Sequence, residues 1–150
     1  MSLNPRETAP MDEETLNRMI HVAREARLRS HAPYSHFAVG AALLDEAGRI
    51  HAGANIENAA YPEGLCAEAS ALAHLVMAGG RRVMAAVVVG EGAQPVTPCG
   101  GCRQKLREFG RDDMPVIVAD LRERRLQTTL GQLLPQSFGP DHLHPVQKQR

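Results

Sequence analysis

Apolar residues recur every three or four positions from Asp12 to about Ser30, a spacing that predicts an amphipathic first helix. The recurring positions are Leu16, Met19, Ile20, Ala23 and Ala26. Acidic residues at the start of this segment favour the positive end of the helix dipole. Two further runs of good helix formers, Cys66 to Ala78 and Cys99 to Phe109, each end at glycine and predict a second and a third helix.

Short segments between and after these helices have the pattern of β-strands. The first two flank a polar turn that contains Gly48, and together they predict an antiparallel hairpin. The third and fourth are nearly continuous in apolar residues, which is typical of buried strands. The five predicted strands are Ala38 to Leu44, Arg49 to Asn55, Val83 to Val89, Pro115 to Val118 and Leu126 to Leu130. With a short helix at Leu130 to Leu134, the pattern predicts an α/β domain whose mixed sheet of about five strands is sandwiched by helices.

Length and composition predict a single domain over residues 1–150. The chain has 150 residues, of which 43% are hydrophobic, enough for one core. We expect loose tails at residues 1–11 and 139–150, because neither has an apolar period. Lys and Arg (17) balance Asp and Glu (17), and aromatic residues are scarce, so nothing favours a nucleic acid as partner. No stretch could cross a membrane, and a free small molecule is the expected substrate.

The only three cysteines of the chain lie in two short motifs, Cys66-x-Glu68 and Pro98-Cys99-x-x-Cys102. An odd number of cysteines cannot all form disulfides within the chain, which favours a reducing compartment, and we expect a cytoplasmic protein. Three thiolates suit one catalytic zinc ion per subunit, with one tetrahedral position left open for water. Glu68, next but one to the first ligand, is then suited to moving the protons of that water.

The predicted helices place these motifs in their first turns. Cys99 and Cys102, at positions i and i+3, face the same way, and the unpaired N–H groups of a helix start favour thiolates. Two alternatives remain open: buried cysteines without a metal, and a closed structural zinc site with histidine as fourth ligand. His74 falls about two turns beyond Cys66, too far to be that ligand.

Six separated strings carry a family resemblance. They are Pro33-Tyr34-Ser35-His36-Phe37, Val39-Gly40-Ala41-Ala42-Leu43-Leu44, Asn55-Ile56-Glu57-Asn58-Ala59, Cys66-Ala67-Glu68, Pro98-Cys99-Gly100-Gly101-Cys102-Arg103-Gln104 and Ser137-Phe138-Gly139. Over residues 15–143 the chain resembles the small homotetrameric, zinc-dependent cytidine deaminases. The resemblance implies their fold, one zinc ion per subunit and a homotetramer. It also implies hydrolytic deamination of cytidine and deoxycytidine to uridine and deoxyuridine, with release of ammonia, in pyrimidine salvage.

The resemblance further implies roles for single residues. Glu68 would act as both base and acid at the reacting ring. Asn55 and Glu57 would hydrogen-bond a ribose hydroxyl, the backbone N–H of Ala67 would hold the base carbonyl, and Phe37 would stack on the pyrimidine. Taken without the family, the segment around Asn55 is more typical of a polar strand end and turn, and Phe37 suits a core position.

Tyr61 and Phe138 would, by the same resemblance, line the site of a neighbouring subunit, although Phe138 also suits a core position. A related enzyme that deaminates a cytosine-like antibiotic such as blasticidin S would share the metal ligands and Glu68. A zinc-stabilised module without catalysis is the alternative from another class. Sequence patterns separate these possibilities weakly, and the ribose-binding pair Asn55 and Glu57 favours the nucleoside.

One position departs from the resembling family. Members with three cysteine ligands usually carry arginine directly after the catalytic glutamate, where this chain has Ala69. Three thiolates and one Zn²⁺ leave a net negative charge, which hydrogen-bond donors around the metal normally offset. We expect the helix ends together with Arg103, or else Gln104, to take over this role.

Overall fold

The computed structural model describes residues 11–143, which form one five-stranded sheet with helices on both faces. The helices are α1 (Glu13–Arg27), α2 (Ala67–Met77), α3 (Gly100–Phe109), α4 (Leu130–Leu133) and α5 (Pro140–Leu143), with a 3₁₀ turn at Tyr61–Glu63. The strands are β1 (Val39–Asp45), β2 (Ile50–Ala54), β3 (Val83–Gly90), β4 (Pro115–Ala119) and β5 (Arg124–Thr129). Within residues 11–143, no helix has the length and apolar character that a membrane span requires.

The sheet is mixed, as the sequence pattern predicts, with the strand order β2-β1-β3-β4-β5. Strands β1 and β2 form the predicted antiparallel hairpin, and β1 also pairs antiparallel with β3. Strands β3 and β4 are parallel and are joined through α3, while β5 pairs antiparallel with β4 at the far edge. The expected α/β class is thereby confirmed.

Alternation along the strands divides the apolar core between the two faces of the sheet. On one face α1 packs through Met19 and Ala23 against side chains such as Val87 and Ile117. On the other face α2 and α3 pack against the alternate strand positions. The face with α2 and α3 therefore carries both cysteine motifs.

Two glycines let helices approach the sheet closely. A Cβ atom at Gly53 of β2 would lie 2.3 Å from the backbone oxygen of Ala67 and 2.3 Å from the nitrogen of Ala71. A Cβ at Gly40 of β1 would lie 1.9 Å from the backbone oxygen of Ala23 in α1. The first turn of α2, where one metal ligand is expected, thus rests directly on the backbone of β2.

A buried carboxylate ties the β1–β2 turn to the far end of α2. The Asp45 side chain is fully buried and accepts a hydrogen bond from Arg49 Nε at 2.7 Å, with His51 Nε2 at 2.8 Å. Its Oδ1 also accepts the backbone N–H groups of Ala47 and Arg49. Arg49 then donates to the carbonyl of Ala78 at 2.7 Å, which caps the C-terminus of α2.

The C-terminal prediction needs correction. Residues 139–143 are not a loose tail, because 140–143 form α5 and Asp141 pairs with Arg107 of α3 at 2.7 Å. The pattern of the tail is too short and too polar to show a helix held by a contact 34 residues away. Residues 1–10 and 144–150, which contain the rest of the two predicted tails, lie outside the described residues.

Candidate active site

The three cysteines lie at the starts of two helices, as their spacing predicts. Cys66 and Cys99 are the N-cap residues of α2 and α3, and Cys102 is the third residue of α3. The Sγ atoms of Cys66 and Cys99 are 3.8 Å apart, and all three sulfur atoms lie within 4.8 Å of one another. The fold therefore gathers the sulfur atoms of two segments that are distant in sequence.

The cluster fits a zinc ion. Four ligands placed tetrahedrally about 2.3 Å from zinc are about 3.8 Å apart, which matches the separation of Cys66 and Cys99. Among residues 11–143 no fourth histidine, cysteine or carboxylate joins the group. His74 instead lies with its Nδ1 2.7 Å from the carbonyl of Ala52. Three protein ligands leave one position of a tetrahedral site for water, which disfavours the closed structural alternative.

Burial and hydrogen bonding act differently on the three thiols. The backbone N–H of Cys102 lowers the pKa of Cys99, which agrees with a thiol at a helix start. Burial raises the pKa of Cys66 and of Cys102, and neighbouring acidic groups raise both further. Without a metal ion, deprotonating all three of these neighbouring thiols is therefore unfavourable. A divalent cation would remove this cost, because the ligands bind it as thiolates.

Glu68 is the second residue of α2 and only 5% of it is exposed. Burial raises the pKa of its carboxyl group, since the charged form loses contact with water. A carboxyl group with a raised pKa exchanges protons more readily near neutral pH than an ordinary one. The structure thus places a group suited to proton transfer two residues beyond Cys66.

Two isolated backbone bridges join the predicted substrate segment to the first cysteine. His31 pairs with Ile56 in parallel, and Ile56 pairs with Leu65 in the antiparallel sense. The N–H groups of Ile56 and Leu65 each donate to the other residue's carbonyl at 2.8 Å. Asn55 and Glu57, on either side of Ile56, are thereby fixed beside the residue that precedes Cys66.

The Asn55 side chain holds the segment that carries Phe37. Its Oδ1 accepts the N–H of Val39 at 2.9 Å and the hydroxyl of Ser30, and its Nδ2 donates to the Phe37 carbonyl at 2.8 Å. Phe37 remains 41% exposed. The alternative that Phe37 is a core residue is therefore wrong, and its ring is available to a ligand.

The carboxylate of Glu57 collects donors from the loop before Phe37. Its Oε1 accepts the N–H groups of Tyr34 and Ser35 at 2.9 and 3.0 Å, and its Oε2 accepts the hydroxyl of Ser35. The hydrogen bond from the Ser35 side chain and those from the backbone lower the pKa of Glu57. Glu57 is thus held as a half-buried, charged acceptor.

Glu57 lines a cavity of about 360 Å³ together with Tyr34, Ser35, Asn58, Tyr61 and Gly64. Tyr61 is 74% exposed, and its ring makes an edge contact with Tyr34 at a centroid distance of 5.8 Å. Ser35, Asn58 and Tyr34 were not singled out by the sequence. The sequence indicates them only through their places in the strings that carry the family resemblance, because the residues of a cavity wall have no regular spacing.

The remaining two predicted substrate residues lie in different settings. Ala67 is buried and opens α2, directly between Cys66 and Glu68. Phe138 is 57% exposed, so it is not a core residue, and it is absent from the wall of the cavity beside Glu57. Phe37 is thus tied to Asn55, which lies beside the Ile56–Leu65 bridge, and Tyr61 shares the cavity wall with Glu57, while Phe138 lies on a separate segment.

The expected contact between Arg103 and the cysteine ligands is wrong. The Arg103 guanidinium donates to the carbonyls of Pro98 and Leu133 at 2.7 and 2.8 Å and to the hydroxyl of Thr97 at 3.1 Å. Gln104 donates to the carbonyl of Phe138 at 2.9 Å. Both side chains therefore brace backbone segments around α3 through the carbonyl groups of Pro98, Leu133 and Phe138.

Three soft ligands on two helix starts, next to a buried carboxyl group, define a zinc-dependent hydrolytic enzyme. A profile described as "Cytidine and deoxycytidylate deaminase zinc-binding region" matches residues 13–118. The chain belongs to this family. The family resemblance, the zinc requirement and the type of enzyme that the sequence predicts are thereby confirmed.

Curated relatives and solved structures agree with this assignment. A cytidine deaminase of Sporosarcina psychrophila is 42% identical over 128 residues, which cover 85% of this chain and 94% of the relative. One from Mycobacterium tuberculosis is 42% identical over 121 residues, covering 81% of this chain and 87% of the relative. The crystal structure of cytidine deaminase from Burkholderia pseudomallei has a TM-score of 0.78 at 39% identity and covers 85% of this chain and 100% of that chain.

Proposed function

We propose that this protein deaminates cytidine and deoxycytidine hydrolytically, giving uridine or deoxyuridine and ammonia. The observation that carries the proposal is the three-sulfur cluster at the helix starts, with buried Glu68 beside it. The names of relatives about 40% identical over most of the chain support the nucleoside as substrate.

A zinc ion bound by the three cysteines would acidify a water molecule and so supply a nucleophile at neutral pH. Glu68 accepts a proton from this water and passes it to ring N3 as oxygen adds to C4. Glu68 then carries the second proton of that water, from the new hydroxyl group on C4, to the exocyclic amine, the C4–N bond breaks, and ammonia leaves. One water is consumed for each ammonia released. The carboxyl group of Glu68 serves first as base and then as acid.

The residues around the cavity suit a nucleoside. The half-buried carboxylate of Glu57 is an acceptor for a ribose hydroxyl, and Asn55 is fixed beside it by the Ile56–Leu65 bridge. The exposed ring of Phe37 can stack on a pyrimidine, and the backbone N–H of Ala67 lies next to the first metal ligand.

Assembly and cellular role belong to the same proposal. Exposed Tyr61 and Phe138 would complete the site of a neighbouring subunit in a homotetramer, which their high exposure in one subunit supports. We also propose a cytoplasmic role in pyrimidine salvage, supported by three free cysteines and by the nucleoside substrate.

Ammonia release tests the proposal. We expect turnover of cytidine and deoxycytidine, loss of turnover with a zinc chelator, and recovery when zinc is restored. Parallel assays with cytidine monophosphate and blasticidin S identify the preferred substrate. Faster release from blasticidin S would assign the protein to the antibiotic deaminases, and a zinc-loaded protein inactive on all four compounds would support the non-catalytic module.

A further inference from the structure

Phe138 is an exposed aromatic residue on a segment that the rest of the chain holds in place. More than half of the residue is exposed, yet its carbonyl accepts a hydrogen bond from Gln104 Nε2 at 2.9 Å. Its ring stacks on that of His142 with centroids 4.9 Å apart and planes inclined by 21°. One face of the ring is therefore covered by His142, while the residue as a whole stays largely exposed on a fixed backbone.

Arg107 contacts the chain on both sides of Phe138. Its Nε donates to the hydroxyl of Ser137 at 2.9 Å, and its Nη2 pairs with Asp141 at 2.7 Å. The Arg107 side chain is only 16% exposed. A planar guanidinium that uses two of its edges fixes both position and orientation of the atoms it contacts.

Gly139 completes this arrangement. A Cβ atom at Gly139 would lie 2.4 Å from the Cζ atom of Arg107, so the backbone after Phe138 rests directly on the guanidinium group. Ser137, Gly139 and Asp141 all contact one side chain, while residue 138 itself is held by Gln104. Ordering an exposed segment costs conformational entropy, which these contacts offset before any ligand arrives.

The helix that supplies these contacts also supplies two of the metal ligands. Gln104 and Arg107 are on α3, which starts at Cys99 and includes Cys102. The position of Phe138 is therefore fixed by the rigid element that holds two sulfur atoms of its own subunit, although the site that Phe138 would complete is a neighbour's. A short helix of ten residues transmits this placement without a flexible joint.

We propose that Arg107 and Gln104 are positioning residues that hold Phe138 ready to stack on a bound pyrimidine nucleoside. The proposal rests on the proposed function, in which Phe138 completes a substrate site. Arg107 touches no reacting atom and acts through residues 137–141. Removing its side chain should weaken substrate binding while leaving the metal ligands and Glu68 intact.

Backbone hydrogen exchange tests the placement without a substrate. In zinc-loaded Arg107→Ala, amide exchange over residues 137–141 should rise well above that of the wild type. Arg111→Ala is a matched control, because Arg111 is exposed and pairs only loosely with Asp113 at 3.4 Å. Unchanged exchange in Arg107→Ala would overturn the proposal.

Kinetics test the consequence for substrate. Losing a base-stacking contact should raise KM for cytidine about tenfold in Arg107→Ala, with kcat changed less than about twofold. Zinc content and the kinetics of Arg111→Ala should equal those of the wild type. Gln104→Ala should raise KM in the same direction and serves if Arg107→Ala folds poorly.

A double-mutant cycle with Phe138→Ala separates positioning from general stability. Because Arg107 acts through Phe138, Arg107→Ala should add no further increase of KM when Phe138 is already alanine. If the two substitutions raise KM independently, so that their effects multiply, the role of Arg107 is overturned. The proposed function would still stand in that case, because the wild type turns over cytidine. Absence of ammonia release from cytidine by the wild type would instead overturn the proposed function, and with it the role of Phe138.

Discussion

At the scale of single residues, Glu68 combines burial with a place two residues after Cys66, a proposed metal ligand. Glu68→Gln keeps the size of the side chain but cannot accept and return a proton. We expect kcat for cytidine to fall about 10²- to 10⁴-fold, while the zinc content stays that of the wild type, as measured by ammonia release and metal analysis. Near-normal turnover in the zinc-loaded variant would show that another group moves the protons.

Asn55 shows how a polar residue can act through the neighbours it holds. Asn55→Ala removes the acceptor of the Val39 N–H and the donor to the Phe37 carbonyl. Leaving such groups unpaired costs about 1–3 kcal/mol, and a freed Phe37 should also raise KM. Urea unfolding and cytidine kinetics measure the two effects. Asn17→Ala, at an exposed contact with Arg124, serves as the control and should change neither quantity appreciably.

How far the sequence predicts individual residues depends on how local their contacts are. Cys66, Glu68, Cys99 and Cys102 were predicted as one cluster, because each motif opens a helix and helix starts share a chemistry. Arg103 was assigned the wrong partners, since its acceptor at Leu133 lies 30 residues away and no spacing shows it.

At the scale of elements, the packing of α2 on β2 depends on Gly53. A methyl group there would overlap backbone atoms of Ala67 and Ala71, which cannot move aside as a flexible side chain could. Gly53→Ala should therefore lower the free energy of unfolding by about 1–3 kcal/mol or more and weaken zinc retention, since α2 starts at Cys66. Thermal unfolding and zinc competition with a chelator measure both effects.

The matched control makes the same chemical change where space exists. A Cβ atom at Gly101 would meet only the Nζ atom of Lys105, at 3.8 Å. Alanine favours helix over glycine, so Gly101→Ala in α3 should stabilise the fold by about 0.5–1 kcal/mol. Equal effects at the two glycines would contradict the close approach of α2.

The turn between β1 and β2 contains a carboxylate whose contribution depends on pH. Burial alone would raise the pKa of Asp45, but hydrogen bonds from His51, Arg49 and Ala47 outweigh it and lower the pKa from 3.8 to about 2. A lowered pKa means that the charged form stabilises the fold above the unfolded value of 3.8. This contribution is lost as pH falls from about 4 to about 2.

Asp45→Asn tests that sign. The variant should be about 2 kcal/mol less stable than the wild type at neutral pH, and the difference should shrink below pH 4 because the wild-type carboxylate becomes protonated. Urea unfolding at several pH values measures the difference, and zinc loss in acid affects both proteins equally. A constant difference down to pH 2, or a similar effect of Asp113→Asn at an exposed carboxylate, would contradict the assignment to Asp45.

The sequence pattern predicts long helices and strands more accurately than short ones. Helix α1 follows from its apolar spacing and from Asp12, whose carboxylate accepts the N–H of Thr15 at 2.7 Å. The turn at Tyr61–Glu63 and α5 are too short for a period to show. Strand β5 starts at Arg124, earlier than the predicted Leu126, because pairing with β4 rather than an apolar pattern defines this edge strand.

At the scale of the whole molecule, one subunit exposes aromatic residues that the proposed function uses. Tyr61 is 74% exposed, Phe138 is 57% exposed and Phe37 is 41% exposed. Phe138 and the cavity wall belong to different segments of the described chain. The proposed completion of the site by a second subunit would account for both aromatic residues being uncovered in one subunit.

Mixed subunits test this completion directly. Glu68→Gln subunits cannot carry out proton transfer but still present Phe138, whereas Phe138→Ala subunits keep Glu68 but present no ring. After an equal mixture is dissociated and reassembled, random pairing gives about a quarter of all sites an intact Glu68 and a neighbour's Phe138. Ammonia release at low cytidine concentration should therefore exceed the sum of the two separate variants, and sedimentation should show one assembly larger than the 16.3 kDa chain. Activity equal to that sum, or a fully active single chain, would mean that each subunit uses its own Phe138 or none.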